Sequence, residues 1–174
     1  GRRELLEGLE AYKVRPAPND LPGKWMTGTQ NHEGIAGVLA AIDYLAVLGR
    51  TAAEDSTLPR RAALEAAFAA IREYEQALTA RLLAGLADWP EIRVWGITEG
   101  SRLAERLPTV SITHAALPAE ELVGRLAKAG IFAWHGNYYA LELSEALGRE
   151  PAGMVRSGLV HYNTGAEVDY LLQT

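Results

Sequence analysis

One arginine lies inside an otherwise apolar predicted strand. Arg156 interrupts the segment Met154–Val160, whose other members are mostly of the kind that a sheet buries. A guanidinium in such a place must reach solvent along its stem, pair with a carboxylate of the protein, or bind a ligand carboxylate through its planar fork. Because fully buried arginines are nearly always paired, the sequence is equally compatible with a structural ion pair and with a ligand site.

A short run of hydroxyl and glycine residues precedes a predicted helix. Thr27, Gly28 and Thr29 come just before Asn31 and a helical pattern over roughly 33–48. Backbone N–H groups and hydroxyls at a helix N-terminus form a natural anion site. Threonine and asparagine are also common helix caps, and the spacing alone favours this second interpretation.

Aromatic and polar residues surround a glycine in Trp134–Tyr139, between a predicted strand and a predicted helix. Aromatic residues at strand ends usually pack in a core or at a domain interface. His135 and Asn137 strengthen the case for a lined pocket, since such pockets combine apolar walls with a few polar groups.

Several other chemistries find no support in the sequence. The chain has no cysteine, which excludes disulfides and thiolate metal sites. It contains no nucleophile elbow, Walker loop or dinucleotide fingerprint. The histidines are far apart and lack metal-ligand spacing, so no metal site is predicted; they are His32, His114, His135 and His161.

The elements around these motifs predict a mixed α/β fold. A helix predicted from Pro59 to Leu86 would be about 40 Å long at about 1.5 Å per residue, which suits a bridge between two lobes. From Trp89 onward short strands alternate with helices and predict a small α/β sandwich over 89–174. The predicted strands are 92–96, 109–114, 131–134 and 154–162; helices are predicted at 33–48 (ending at Gly49), 118–128 and 138–147, and after a capping box at Thr164–Glu167.

Composition and charge are those of a soluble globular protein. The chain has 174 residues, of which 48% are hydrophobic, and a net charge of −5. This charge argues against nucleic acid or an anionic membrane as the main partner. No apolar run is expected to cross a bilayer and no secretory signal is predicted, so the expected location is cytoplasmic. The start at Gly1, without an initiator methionine, indicates either a removed tag or a piece of a longer polypeptide.

Three motifs, in this order, resemble the class-V aminotransferase and cysteine desulfurase-like family, whose members depend on pyridoxal phosphate (PLP). Thr27–Asn31 with Ala41–Leu45 resembles the family's "GT-x-N … AALDYL" segment. Pro108–Ile112 resembles its "R-x-P-x-V-S-F" strand, and Arg156–Asp169 resembles its "R-x-S/G-x-x-x-Y-N-T-x-E-E-V-D" ending. The W-H-G-N-Y-Y-A loop from Trp134 is similar to that of a bacterial cysteine desulfurase-like subfamily.

The resemblance implies roles for the threonine loop and for the strand arginine. Thr29, with Gly28, would contact the phosphate of PLP held in the neighbouring subunit of a homodimer, at a site shared between the subunits. Arg156 would bind the α-carboxylate of a small amino-acid substrate. Asn137 and His135 are predicted as further substrate-binding residues from their polar side chains within the aromatic cluster. Both main roles suit the local chemistry, because a phosphate needs N–H and hydroxyl donors and a carboxylate matches the guanidinium fork.

Two departures from the family pattern limit these implications. The lysines, Lys13, Lys24 and Lys128, do not match the family's Schiff-base motif. That lysine is expected before Gly1, so no catalytic residue is expected in this chain and it should be inactive alone. Tyr139 occupies the position of the desulfurase cysteine, and a phenol cannot accept sulfur as a thiolate does.

Together these features predict the C-terminal part of a PLP enzyme of fold type I, a transferase or lyase. Residues 1–50 would end the large PLP-binding domain, 51–88 would form a long interdomain helix, and 89–174 the small C-terminal domain with a short, mainly antiparallel sheet. The alternative is a non-catalytic interaction or dimerisation module that retains the fold.

Overall fold

The structure is a computed structural model that describes residues 1–174. Six helices and four strands follow one another, with short 3-10 turns at Gly23–Trp25 and Gly100–Glu105. The helices are α1 Arg3–Gly8, α2 His32–Ala52, α3 Arg60–Ala87, α4 Ala119–Lys128, α5 Leu141–Ala146 and α6 Gly165–Gln173. The strands are β1 Ile92–Trp95, β2 Thr109–His114, β3 Trp134–Gly136 and β4 Met154–Gly158.

The four strands form one antiparallel sheet in the order β1-β2-β4-β3. One face packs on α3, α4 and α6, where Leu82, Val110, Val155 and Val168 form the centre of the core. The other face carries no helix of this chain over its central row of residues, where Arg156 and Trp134 are exposed. The predicted α/β fold with a short antiparallel sheet is confirmed.

The long helix α3 joins this sheet layer to a helical hairpin. Its 28 residues correspond to about 42 Å. The C-terminal half enters the core through residues such as Leu82 and Leu86, whereas the N-terminal half packs on α2 through Ala63 and Ala67. Tyr44 of α2 also forms a hydrogen bond with His161, which follows β4 in the chain. The Tyr44 Oη and the His161 Nε2 are 2.8 Å apart. The domain division at residues 50 and 88 stays a prediction.

Several helices begin where short sequence motifs predicted their first residues. Asn31 caps α2 by accepting a hydrogen bond from the Gly34 N–H at 2.8 Å. Thr164 and Glu167 form both bonds of the predicted capping box. Pro118 precedes α4 directly. These signals succeed because each cap involves residues within one helical turn.

Other boundaries were predicted wrongly. The helix α2 continues past Gly49 to Ala52, because the glycine serves a close helix contact and does not end the helix. The strand β4 ends at Gly158, since Val160 and Asn163 close a turn through two hydrogen bonds. The strand β3 begins at Trp134 because the Ile131 N–H closes the end of α4.

The helix α2 presents an apolar face that nothing in this chain covers. Ile35, Val38 and Leu39 are all at least half exposed, and only Ala46 and Gly49 of this helix are buried. By length and composition alone α2 could cross a membrane, so the expectation that no apolar run is long enough was wrong. One such helix is weak evidence of a membrane, because a core helix of a soluble protein has the same properties.

Candidate functional site

Arg156 lies at the middle of the open sheet face. The register places Trp95, Ser111, Arg156 and Trp134 opposite one another in one row across all four strands. Directly opposed residues of an antiparallel sheet project from the same face, so these four side chains share a surface. Arg156 is exposed and makes none of the ion pairs of the structure. The structural ion pair that the sequence left open is therefore not formed.

A tyrosine ring lies against this guanidinium. The Arg156 Cζ is 4.6 Å from the ring centroid of Tyr138, within the range of a cation–π contact. Tyr138 belongs to the loop between β3 and α5, which returns towards the sheet after Gly136. The sequence did not indicate this contact, because the pairing depends on the conformation of the loop and not on residue spacing.

The loop holds two consecutive tyrosines in the left-handed region. Tyr138 has φ 56° and Tyr139 has φ 61°. This conformation costs a side-chain-bearing residue roughly 1–2 kcal/mol. Asn137 supports it, because its Oδ1 accepts from the Tyr139 N–H at 3.1 Å and its carbonyl accepts from the Ala140 N–H at 2.8 Å. The predicted helix over 138–147 consequently begins only at Leu141.

The phenol of Tyr138 is buried at its oxygen. That oxygen makes no hydrogen bond of normal geometry. Burial raises the pKa of Tyr138 to about 12, although the nearby Ser111 hydroxyl and the Arg156 charge act in the opposite direction. The phenol therefore stays neutral and places no negative charge beside Arg156.

We expect this phenol to lower stability at high pH. The unfolded phenol ionises near pH 10 and the folded one near 12, so its contribution is complete below pH 10 and is lost as pH rises from 10 towards 12. Urea unfolding of the wild type and of Tyr138→Phe at several pH values checks this expectation. The wild type should lose stability relative to Tyr138→Phe only above pH 10; parallel curves would contradict the raised pKa.

Two further arginines stack on an aromatic ring of the same sheet layer. The Arg93 Cζ is 3.9 Å and the Arg149 Cζ 5.2 Å from the ring centroid of Trp95. The indole N–H of Trp95 donates to the Thr113 hydroxyl at 3.1 Å. Neither arginine forms an ion pair, so both leave positive charge beside Trp95, which lies in the same row of the sheet as Arg156.

The side chains of the other candidate substrate-binding residues, His135 and Asn137, are not placed like that of Arg156. His135 follows Trp134 on β3 and opposes Val155, so its side chain leaves the opposite face of the sheet. The Asn137 side chain is engaged in the tyrosine turn through its oxygen. Tyr139 is fully exposed at the tip of that turn. Among these loop residues, Tyr138 is the one that forms a cation–π contact with the guanidinium.

Thr29 and Gly28 are exposed in the loop before α2. Asn31 caps α2, so Thr29 does not serve as the helix cap. Capping was the alternative to an anion site for this threonine. The Thr29 hydroxyl and the N–H groups of Gly28 and Thr29 donate no hydrogen bond within the chain. These unpaired donors suit a phosphate group such as that of PLP. No hydrogen bond links this loop to Arg156 within one chain.

The three lysines lie in the segment before α2 and in α4. Lys13 donates to the Ala17 carbonyl at 2.6 Å, and Lys24 donates to the Glu7 carbonyl at 2.8 Å. Lys128 lies in the last turn of α4. The free donors of the Thr29 loop therefore suit the phosphate of PLP. The expectation that none of the three lysines is the covalent anchor of the cofactor stays a prediction.

The fold and the site define an α/β domain with helices on one sheet face and an unpaired arginine on the other. Residues 10–171 match the sequence pattern of the aminotransferase class-V family, and the chain belongs to this family. The match includes α2, so this apolar helix is part of the family's fold. The resemblance drawn from the sequence motifs is confirmed.

Similar proteins include an aminotransferase-like protein and a cysteine desulfurase. The chain is 40% identical over 107 residues to aminotransferase-like protein FGM3 of Gibberella zeae, which covers 59% of the chain and 26% of that protein. It is 32% identical over 151 residues to a cysteine desulfurase of Salmonella newport, which covers 87% of the chain and 31% of that enzyme.

Solved structures show the same fold. The cysteine desulfurase CsdA of Escherichia coli matches with a TM-score of 0.71 and 22% identity, covering 99% of this chain and 39% of that one. A cysteine desulfurase of Thermococcus onnurineus matches with a TM-score of 0.69 and 24% identity, covering 87% and 32%. The chain thus spans between about a quarter and two fifths of the length of these relatives.

Proposed function

We propose that the protein containing this chain is a PLP-dependent enzyme that acts on a small amino acid in the cytoplasm. In this proposal the chain is the C-terminal part of that enzyme and is inactive without the part that carries the cofactor's lysine. The family match and the chain's share of its relatives' length support this assignment.

One observation carries the proposal. Arg156 offers a guanidinium that no carboxylate of the chain neutralises, on the open face of the sheet and against an aromatic ring. Its planar fork can bind both oxygens of an α-carboxylate. Arg93 and Arg149 nearby add positive charge that attracts an anionic ligand to this face.

The chain's residues would bind and orient, while the cofactor would supply the reactive group. Bound PLP provides the electron sink that allows a bond at an amino-acid α-carbon to break. Arg156 would fix the carboxylate of the substrate and so orient that carbon. Thr29 and Gly28 would donate to the phosphate of PLP in a neighbouring subunit.

A homodimer is part of this proposal. The Thr29 loop and Arg156 make no hydrogen bond with each other in one chain, which fits a site completed from two subunits. The uncovered apolar face of α2 provides surface that another part of the protein or a second subunit could bury. Analytical ultracentrifugation of the natural protein tests the assembly; a monomer with full activity would contradict a shared site.

The reaction is proposed to differ from persulfide formation. Tyr139 is exposed at the tip of the loop, where the resemblance places the sulfur-accepting cysteine of desulfurases. Since a phenol does not take up sulfur from a substrate, we propose another α-carbon reaction, namely elimination, transamination or epimerisation.

A substrate screen on the natural gene product tests the function. The PLP-loaded protein is mixed with each small amino acid in turn, and the absorbance of the bound cofactor and the products are followed. We expect a spectral change and turnover with at least one of them. Detection of a persulfide on the protein during cysteine turnover would support the conventional desulfurase reaction and contradict the proposed one. The absence of a response to any amino acid would refute the proposed function.

Thr29→Ala should weaken the retention of PLP. Loss of one hydrogen bond to a charged group costs about 1.5–3 kcal/mol, which raises the dissociation constant of PLP roughly 10- to 150-fold. Fluorescence titration of the apo form of the natural protein with PLP measures the change. Thr27→Ala removes a hydroxyl from the same loop and is the matched control. Equal PLP affinity of wild type and Thr29→Ala would refute the phosphate contact.

A further inference from the structure

The contact between Tyr138 and Arg156 is maintained against a conformational cost. Glycine or asparagine adopts a left-handed φ more easily than tyrosine, yet both Tyr138 and Tyr139 adopt it here. The Asn137 side chain closes the turn, and before it Gly136 packs on Gly153 so tightly that a Cβ on Gly153 would lie 2.5 Å from the Gly136 Cα. This arrangement brings the Tyr138 ring to the guanidinium.

The ring face, and not the hydroxyl, makes the useful contact. The Tyr138 oxygen is buried and makes no hydrogen bond of normal geometry, so such a bond does not hold the ring in place. The ring lies 4.6 Å from the Arg156 Cζ. A guanidinium stacked on a ring keeps its N–H groups in its own plane, where they stay available to a carboxylate.

We propose that Tyr138 is a positioning residue that holds the Arg156 guanidinium ready for the substrate carboxylate. The inference rests on the proposed function, in which Arg156 binds that carboxylate. An arginine with no ion pair samples many rotamers, and binding must then order it. The stacked ring orders the side chain beforehand, so the substrate meets a fork that is already placed.

The first test compares kinetic constants of the PLP-loaded natural protein. Tyr138→Leu should raise KM for the amino acid roughly tenfold, with kcat within about twofold and an unchanged PLP content, because only binding loses the prepared fork. Tyr138→Phe retains the ring and should keep KM near the wild-type value. A Tyr138→Leu protein with wild-type KM would overturn the inference.

A double-mutant cycle separates positioning from general structure. If Tyr138 acts through Arg156, then Tyr138→Leu should raise KM no further in an Arg156→Ala background. Additive increases would show a role independent of Arg156 and would overturn the inference. An unchanged KM in Arg156→Ala would refute the proposed function of Arg156. A KM that rises in Arg156→Ala but stays unchanged in Tyr138→Leu would refute only the positioning role of Tyr138.

A second measurement does not depend on the folding of the leucine variant. Phenylalanines with increasing numbers of fluorine atoms are placed at position 138, which weakens the negative ring face with little change of shape. We expect the logarithm of KM to rise with each added fluorine. A KM that is independent of fluorination would overturn the cation–π role of this ring.

Discussion

Arg156→Ala should lower kcat/KM for the amino-acid substrate of the natural protein by roughly 10²- to 10³-fold. A bidentate pair comprises two hydrogen bonds between charged groups. If each bond contributes an energy at the lower end of the usual range, the loss of the pair costs about 3–4 kcal/mol. The effect should fall mainly on KM, with PLP still bound. Steady-state kinetics with the substrate identified by the screen provides the measurement.

Matched variants show whether the fork or only the charge matters. Arg156→Lys retains the charge and loses the planar fork, so its kcat/KM should lie between those of wild type and Arg156→Ala. Arg93→Ala removes another arginine that stacks on an aromatic ring of the same sheet face, and its KM should stay within about threefold of wild type. Equal KM values for Arg156→Ala and wild type would show that this arginine does not bind substrate.

The fold should tolerate these changes. The Arg156 side chain is exposed and bears no ion pair, so its truncation leaves no buried charge without a partner. Exposed substitutions of this kind change stability by about 0.5 kcal/mol. A loss of activity in Arg156→Ala can therefore be assigned to the site.

The sequence could predict features that depend on neighbouring residues. The Asn31 cap and the Thr164–Glu167 box each involve residues within one turn, and both formed as predicted. The predicted strands at 109–114 and 154–162 also correspond to β2 and β4, although β4 ends earlier. Such patterns suffice for element types and for most helix starts.

The sequence could not predict features set by contacts between distant residues. Whether Arg156 meets an acid depends on which side chains oppose it, and the register places Ser111 and Trp134 there. The left-handed Tyr138 turn opposes the local helical pattern and depends on the packing of the loop against the sheet. For Thr29 the sequence left two roles, and the structure assigns the cap to Asn31.

Gly49 shows how one residue type can serve two structural purposes. A glycine after an apolar helical pattern commonly ends the helix, which is why the end was predicted there. In the structure it lies inside α2, where a Cβ would be 1.7 Å from the Ala63 carbonyl oxygen and 2.8 Å from the Ala67 nitrogen of α3. Ala63 and Ala67 are completely buried, so the two helix backbones meet through small residues.

Gly49→Ala should destabilise the protein by about 3 kcal/mol or more. Alanine is favoured over glycine in a helix by about 1 kcal/mol, but the added methyl meets backbone atoms that cannot rotate away, so α2 and α3 must separate. Gly124→Ala is the matched control, because Gly124 is exposed in the middle of α4 and its Cβ would meet no atom within 4 Å. That variant should gain about 0.5–1 kcal/mol from helix propensity alone. Urea unfolding followed by circular dichroism should thus give opposite signs for the two substitutions. Stabilisation by both would mean that α2 and α3 are not in close contact at Gly49.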